Sequence, residues 1–194
     1  MQIGFKVLLV SDVVDSTQEV EAGLKESGAN QVMNLSVEGN LLKVLADNVI
    51  DLVVLDVIKP TTALFEKLAM VYEYCPKPIV CFSNERDSNI IAKSVKAGVT
   101  AYIVDGKDAS RMQPIIEVAM ARFNEGQAIR KELAQVKDKL SERAVIEKAK
   151  GLLIENKNMS EDEAYKAMRK MAMDQGKKIS VVAHEVCGVL TGLS

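Results

Sequence analysis

Tryptophan is absent from this 194-residue sequence, histidine occurs once, cysteine three times and proline four times. Each scarcity excludes something. His184 has no neighbouring ligand or base, so it reads as a partly exposed helix residue and not as a metal ligand or proton shuttle. Cys75, Cys81 and Cys187 are odd in number and form no CxxC or Cys/His spacing, which argues against a disulfide framework or a zinc site and for a reducing compartment. Cys81 lies inside an apolar run and is expected to be a small core residue. The sequence lacks a glycine-rich phosphate loop and a recognisable nucleophile–base pair, so the expectation is a protein that is not an enzyme. No apolar run approaches the ~18 residues of a membrane span. The opening "MQIGFKVLLV" lacks a basic n-region and a small-residue cleavage site, so a cytoplasmic protein is expected.

What is there divides in two. The net charge of −2 conceals a gradient. Up to Gly126 there are 12 Lys/Arg against 17 Asp/Glu, and from Gln127 onward 13 against 10, so an acidic body (12 − 17 = −5) precedes a weakly basic tail (13 − 10 = +3). All four prolines fall at or before Pro114, leaving the last 80 residues without one. In the body, "KVLLV" (6–10), "NQVMNLS" (30–36), "DLVVLD" (51–56), "PIVCFS" (78–83) and "AYIV" (101–104) are runs of strand length between segments of helical periodicity. That alternation predicts a five-stranded parallel sheet covered by helices on both faces. Ligands in such sheets gather at the carboxyl ends of the strands, where Ser11, Asp12, Asp56 and Ser83 are expected to meet.

From about Arg111 to Asn156 the spacing predicts nearly unbroken helix. Within it Ile129, Leu133, Val136 and Leu140 alternate four- and three-residue steps, the seam of a coiled coil. In "NMSEDEAYKAM", Ser160 with Glu163 three residues on predicts a capping box. Ala164, Ala167, Met168, Met171 and Ala172 should then form one apolar face. "DQGKK" breaks that helix, and a further one is expected from Ser180, containing Val182, Ala183, Val186 and Leu190.

The first ~120 residues resemble the receiver domain of two-component response regulators. The resemblance implies a flavodoxin-like fold, makes Asp56 in "VVLDVIKP" the candidate phosphoacceptor, and matches Ser83 to the conserved hydroxyl. It also implies Asp12 and Asp56 as weak ligands for Mg²⁺, since a phosphoryl acceptor needs acids, a hydroxyl and a cation. Two departures stand out. "SD" replaces a pair of acids after the first strand, and "AYIVDG" puts Asp105 and Gly106 where a lysine is usual. A carboxylate there would repel a phosphoryl dianion. Two readings of Asp56 compete, a phosphorylation switch and a relic in a pseudo-receiver, and these departures favour the second.

The tail "ERAVIEKAKGLL … SEDEAYKAMRKMAM … ISVVAHEV" resembles the ANTAR domain, a three-helix RNA-binding module of antitermination regulators. Ala149, Gly151, Ala164, Arg169, Ala172 and Ala183 fall where that pattern expects such residues. "AYIVDGKDASRMQPIIEVAMARF" is similar to the nitrate/nitrite assimilation antiterminators of the NasT group, with AmiR and EutV regulators sharing the architecture more loosely. The resemblance implies a dimer, joined through the linker helix, that binds paired stem-loops in nascent leader RNA. It also implies control by a nitrate-sensing partner protein of the NasS type, and no membrane partner. The expected divisions are a receiver or pseudo-receiver over 1–122, a coiled-coil linker helix over 123–140 and an ANTAR domain over 141–194. Arg143, Lys148, Lys150, Lys166, Arg169, Lys170, Lys177 and Lys178 are candidate phosphate contacts and Tyr165 a candidate stacking surface. Met168, Met171 and Met173 are core filler or a partner surface. The alternative is a phosphorylation-controlled DNA-binding response regulator with a helix-turn-helix tail, for which a tail charge of +3 is thin.

Overall fold

The computed structural model describes residues 4–12 and 17–192; the extreme ends of the expected first and third divisions, Met1 and Ser194, lie outside the described residues. The chain divides into two compact units, Met1–Gln127 and Ala128–Ser194.

The first unit is an α/β domain. Its strands are β1 (Phe5–Ser11), β2 (Ala29–Ser36), β3 (Leu52–Asp56), β4 (Ile79–Ser83) and β5 (Ala101–Val104), interleaved with α1 (Thr17–Glu26), α2 (Leu41–Asp47), α3 (Thr62–Tyr74) and α4 (Ser88–Lys96). All pairings are parallel in the order β2-β1-β3-β4-β5, the doubly wound flavodoxin-like order. The central strands β3 and β4 are buried along their whole length because both faces of the sheet are covered there, whereas the edge strand β2 (ANQVMNLS) is largely exposed. Leu8, Val10, Val53, Leu55, Ile79 and Cys81 point to one face, against Leu41 and Leu45 of α2 and Leu64, Leu68 and Val71 of α3. The alternate residues Val7, Leu9, Leu52, Val54, Val80 and Phe82 point to the other, against Val20 and Leu24 of α1. The start of α5 (Ala109–Lys157) completes that second layer with Met112, Ile116 and Ala119. Burying a side chain of this size contributes about 1.5–3 kcal/mol, so these two layers hold the sheet's carboxyl edge in place.

With no proline after Pro114 to interrupt it, α5 runs for 49 residues. It crosses the expected divisions at 122/123 and 140/141 without a break, and the change from one compact unit to the other falls within it. In the second unit α5 is followed by α6 (Glu161–Gln175) and α7 (Ile179–Thr191). Ser160 caps α6: its hydroxyl accepts the Glu163 N–H, and the Glu163 carboxylate accepts the Ser160 N–H. Gly176, at φ 62°, ends the helix in the left-handed conformation that glycine adopts without strain. Helix α7 begins at Ile179, with Lys178 at the cap position, and not at Ser180. Ala149, Met168, Ala172, Val182, Ala183 and Cys187 form the core of this unit. Met171, expected on the inner face of α6, is instead 42% exposed. About 20° from Ala164 on the helical wheel, on the side away from Met168 and Ala172, it lies at the edge of the stripe those three residues set.

Candidate functional site

Parallel register fixes the first site. Ser11 at the end of β1 pairs with Asp56 at the end of β3, so the carboxyl edge gathers Ser11, Asp12, Asp56 and Ser83. Asp56 is 2% exposed. Asp12 Oδ2 accepts the backbone N–H of Ile58 at 2.8 Å, which orders the loop after β3. The Ser83 hydroxyl donates to the Ile58 carbonyl at 2.8 Å and accepts the Glu85 N–H at 3.2 Å. The hydroxyl is therefore already engaged with the loop that follows Asp56.

The charge reading of this edge needs correcting. Asp105 does not face Asp56. It adopts a left-handed backbone, φ 50°, and its carboxylate turns outward to an ion pair with Arg86, which raises the Arg86 pKa. Reversal of the chain through Asp105 and Gly106 brings Lys107 inward, and its Nζ lies 2.6 Å from Asp56 Oδ1. The cation missing from the strand end is supplied from just beyond it. A lysine following an Asp-Gly step was the signal in the sequence; its reach was not, because that depends on the path of the turn. The other carboxylate oxygen, Asp56 Oδ2, is buried and has no hydrogen-bond partner among the described residues. Behind it, burial and then the Asp56 charge push the Cys81 thiol up to about 12, so this cysteine is an uncharged core residue.

Magnesium at this edge would draw its protein ligands from Asp12 and Asp56. Among the described residues no group of three or more acidic, histidine or cysteine side chains could hold a metal, and Ser11 replaces one acid. Two carboxylates with one unpartnered oxygen suit an ion that arrives with water or phosphate ligands of its own.

The second candidate site lies in the other unit. The inner face of α6 is Ala164, Met168 and Ala172, which leaves Tyr165, Lys166, Arg169, Lys170 and Met173 facing outward. Tyr165 is 41% exposed, so it is not packed away on the preceding helix. Tyr165, Arg169 and Met173 follow one another at four-residue spacing, one stripe on the helix surface. Arg169 and Lys170 are exposed and have no ion pair among the described residues; the same is true of Arg143 and Lys148 on α5. Lys166 pairs with Asp162 at 2.5 Å, Lys177 with Glu185 at 2.6 Å and Lys178 with Glu142 at 3.4 Å, so these three carry charge already shared with an acid.

Lys150 does not belong to an outward basic face. Its side chain is buried between Glu147, 2.8 Å away, and Glu161 at the start of α6, 2.7 Å away, and both carboxylates raise its pKa. It clamps α5 to α6. Arg143 and Lys150, seven residues or nearly two turns apart, lie on one side of α5, yet only Arg143 is exposed. Glu147, one turn before Lys150, could be read from spacing; Glu161 could not, since only the fold of α6 back along α5 brings it there. His184 is exposed and no metal cluster forms around it among the described residues.

Comparison with known proteins agrees with both halves. Residues 134–186 match the ANTAR domain family. The transcriptional regulatory protein PdtaR of Mycobacterium tuberculosis is 28% identical over 186 residues, 95% of this chain and 90% of PdtaR. The nitrate regulatory protein of Klebsiella oxytoca is 36% identical over 75 residues, 39% of this chain and 19% of that protein. Among solved structures, a response regulator from Thermotoga maritima covers 61% of this chain and 99% of its own, with a TM-score of 0.52 and 19% identity. The chemotaxis protein CheY4 of Vibrio cholerae covers 59% of this chain and 97% of its own, with a TM-score of 0.50 and 22% identity. Residues 134–186 thus carry an ANTAR domain, and the unit before them has a receiver-like α/β fold.

Proposed function

We propose that this protein is a transcription antitermination regulator that binds paired stem-loops in nascent leader RNA through its ANTAR domain, and that it acts as a homodimer through α5. The observation that carries this reading is the outer face of α6. Tyr165 offers a ring on which an unstacked loop base can lie, and Arg169 and Lys170 beside it hold charge not committed to a neighbouring acid. Filter binding to a two-stem-loop leader RNA and to duplex DNA of equal length tests it. Preference for the RNA at moderate salt is expected; equal binding of the duplex would favour a DNA-binding regulator instead.

The genes controlled would be those of nitrate or nitrite assimilation, under a nitrate-sensing partner of the NasS type. Support for this comes from the "AYIVDG" stretch and from the similarity to a nitrate regulatory protein. Co-purification of the chain with such a partner, lost when nitrate is added, is the expected result.

A second reading of the first unit is favoured by one observation, the Lys107–Asp56 contact. With the cation in place, the charge argument for a decayed receiver falls away, and Asp56 is a phosphorylation switch. In that reading an Asp56 carboxylate oxygen forms the bond to phosphorus as the bond from phosphorus to the donor breaks, acetate leaving when the donor is acetyl phosphate, and Lys107 balances the added negative charge. Incubation with acetyl phosphate and Mg²⁺ should add one phosphoryl group, absent from Asp56→Asn. No addition to the unaltered chain would return Asp56 to the role of a relic.

A further inference from the structure

The turn that delivers Lys107 is tied down at both ends and free to rotate in between. At one end the Asp105 N–H donates to the Ser83 carbonyl at 3.2 Å, which continues the pairing of β5 with β4. At the other, the Asp108 carboxylate accepts the Ser110 N–H at 2.9 Å and the Ser110 hydroxyl at 2.8 Å, which fixes the start of α5. The rotations at Asp105 and Gly106 therefore decide where Lys107 points. Asp105 takes the left-handed conformation, φ 50°, which is unfavourable for every residue but glycine, though less so for aspartate and asparagine. Gly106 lies so close to β5 that a Cβ there would fall 2.5 Å from Ile103 Cγ2, so the turn folds back without room for a side chain.

We infer that Arg86 and Asp105 are positioning residues for the cation of this site: their ion pair holds the turn in the form that keeps Lys107 on Asp56. The Arg86 Nε, at 3.2 Å, and its Nη2 both donate to one Asp105 oxygen, Oδ2. The backbone that carries Arg86 is itself anchored. Glu85 Oε1 accepts the Arg86 N–H at 2.9 Å and the Asp87 N–H at 3.0 Å. The other Glu85 oxygen pairs with Lys59, 2.9 Å away on the loop after β3. The guanidinium thus reaches the turn after β5 from a fixed base on the loop after β4. Drawing the Asp105 carboxylate outward leaves the residue two positions on to point inward, so an acid at the strand end helps to supply the cation it replaces.

Magnitudes set what this latch can do. Its side chains are 76% and 45% exposed, and an ion pair so open to water biases a conformation by about two- to fivefold. Lys107 meets a carboxylate that is 2% exposed, the stronger contact of the two. The latch therefore sets how often Lys107 is in place and does not substitute for it. For chemistry, the consequence rests on the reading of Asp56 as a phosphorylation switch. As acetyl phosphate gives its phosphoryl group to Asp56 and acetate leaves, Lys107 keeps its proton and meets the added charge, so the rate follows the fraction of chains with Lys107 in place.

Competitive acetylation of the full-length chain by acetic anhydride, resolved lysine by lysine by mass, tests the positioning without any phosphoryl transfer. Arg86→Ala and Asp105→Asn should each speed acetylation of Lys107 about two- to fivefold relative to exposed Lys43. Asparagine keeps the tolerance for the left-handed turn and removes only the charge. Lys67, whose Nζ donates to the Val37 and Gly39 carbonyls, should keep its slow rate, since a variant that merely loosened the domain would free Lys67 as well. An unchanged rate at Lys107, or a rise shared by Lys67, would overturn the inference. With acetyl phosphate and Mg²⁺ the same two variants should take up the phosphoryl group about two- to fivefold more slowly than the unaltered chain. Uptake at one rate by all three would also overturn the positioning role. No uptake by the unaltered chain removes the switch reading alone, and acetylation of Lys107 then decides by itself whether Arg86 and Asp105 position it.

Discussion

Lys107 and Asp56 form an unequal pair, one side chain a third exposed and the other 2% exposed. Removing the lysine strands a buried carboxylate, whereas removing the carboxylate's charge leaves an ammonium that can turn to water. Lys107→Ala should therefore lower stability by about 1–3 kcal/mol, below the usual cost of breaking a fully buried pair because Lys107 is partly solvated. Asp56→Asn should cost less or stabilise. Urea unfolding of the two variants side by side checks the order. The same asymmetry separates the basic residues of the tail. Arg169→Ala should weaken RNA binding by about 1–3 kcal/mol, and Lys150→Met should leave it within about twofold, since Lys150 spends its charge on Glu147 and Glu161. Filter binding with one leader RNA measures both.

Among the elements, α6 depends most visibly on a local signal. Ser160→Ala removes the hydroxyl of the capping box and should destabilise the second unit by about 1 kcal/mol. The Glu163 carboxyl is held below its ordinary value of 4.5, first by the Ser160 backbone N–H and then by the Ser160 hydroxyl. A lowered carboxyl stabilises the fold above its unfolded pKa and loses that contribution as pH falls through the folded value. The capping-box contribution should thus be complete above about pH 5 and fade below about 4.5. A helical signal followed by circular dichroism across that range, flatter in Glu163→Gln, is the expected observation. Helix α5 behaves differently: Leu133 and Leu140 touch no core of their own chain, so Leu133→Ala should leave the folded unit as stable as before while reducing self-association.

Across the whole molecule, the formal charge of −2 means that the proposed RNA binding would be a property of one unit and not of the average surface. Each phosphate contact made by a residue such as Lys170 contributes about 0.7–0.9 to the slope of log K against log salt. Lys170→Ala should flatten that slope by about that amount at every sequence tested, a result distinct from loss of a base-stacking residue such as Tyr165. Much of the architecture could be read directly from the sequence. Continuous apolar runs marked the buried strands, since a sheet covered on both faces needs no alternation, while the exposed edge strand β2 left a fainter signal in "NQVMNLS"; Ser160 with Glu163 marked the start of α6, since a capping box closes within four residues. Both depend on neighbours along the chain. The side chains that decide the sites depend on turns and on packing between elements. The left-handed turn at Asp105 points that carboxylate at Arg86 and delivers Lys107 to Asp56, and the return of α6 along α5 removes Lys150 from the surface by way of Glu161. Periodicity and capping therefore determined which elements form and in what order. Which charge faces which came only from tertiary structure, because a Coulomb contact is set by distance in space, and residues close in sequence, such as Asp105 and Lys107, can point to opposite sides of one turn.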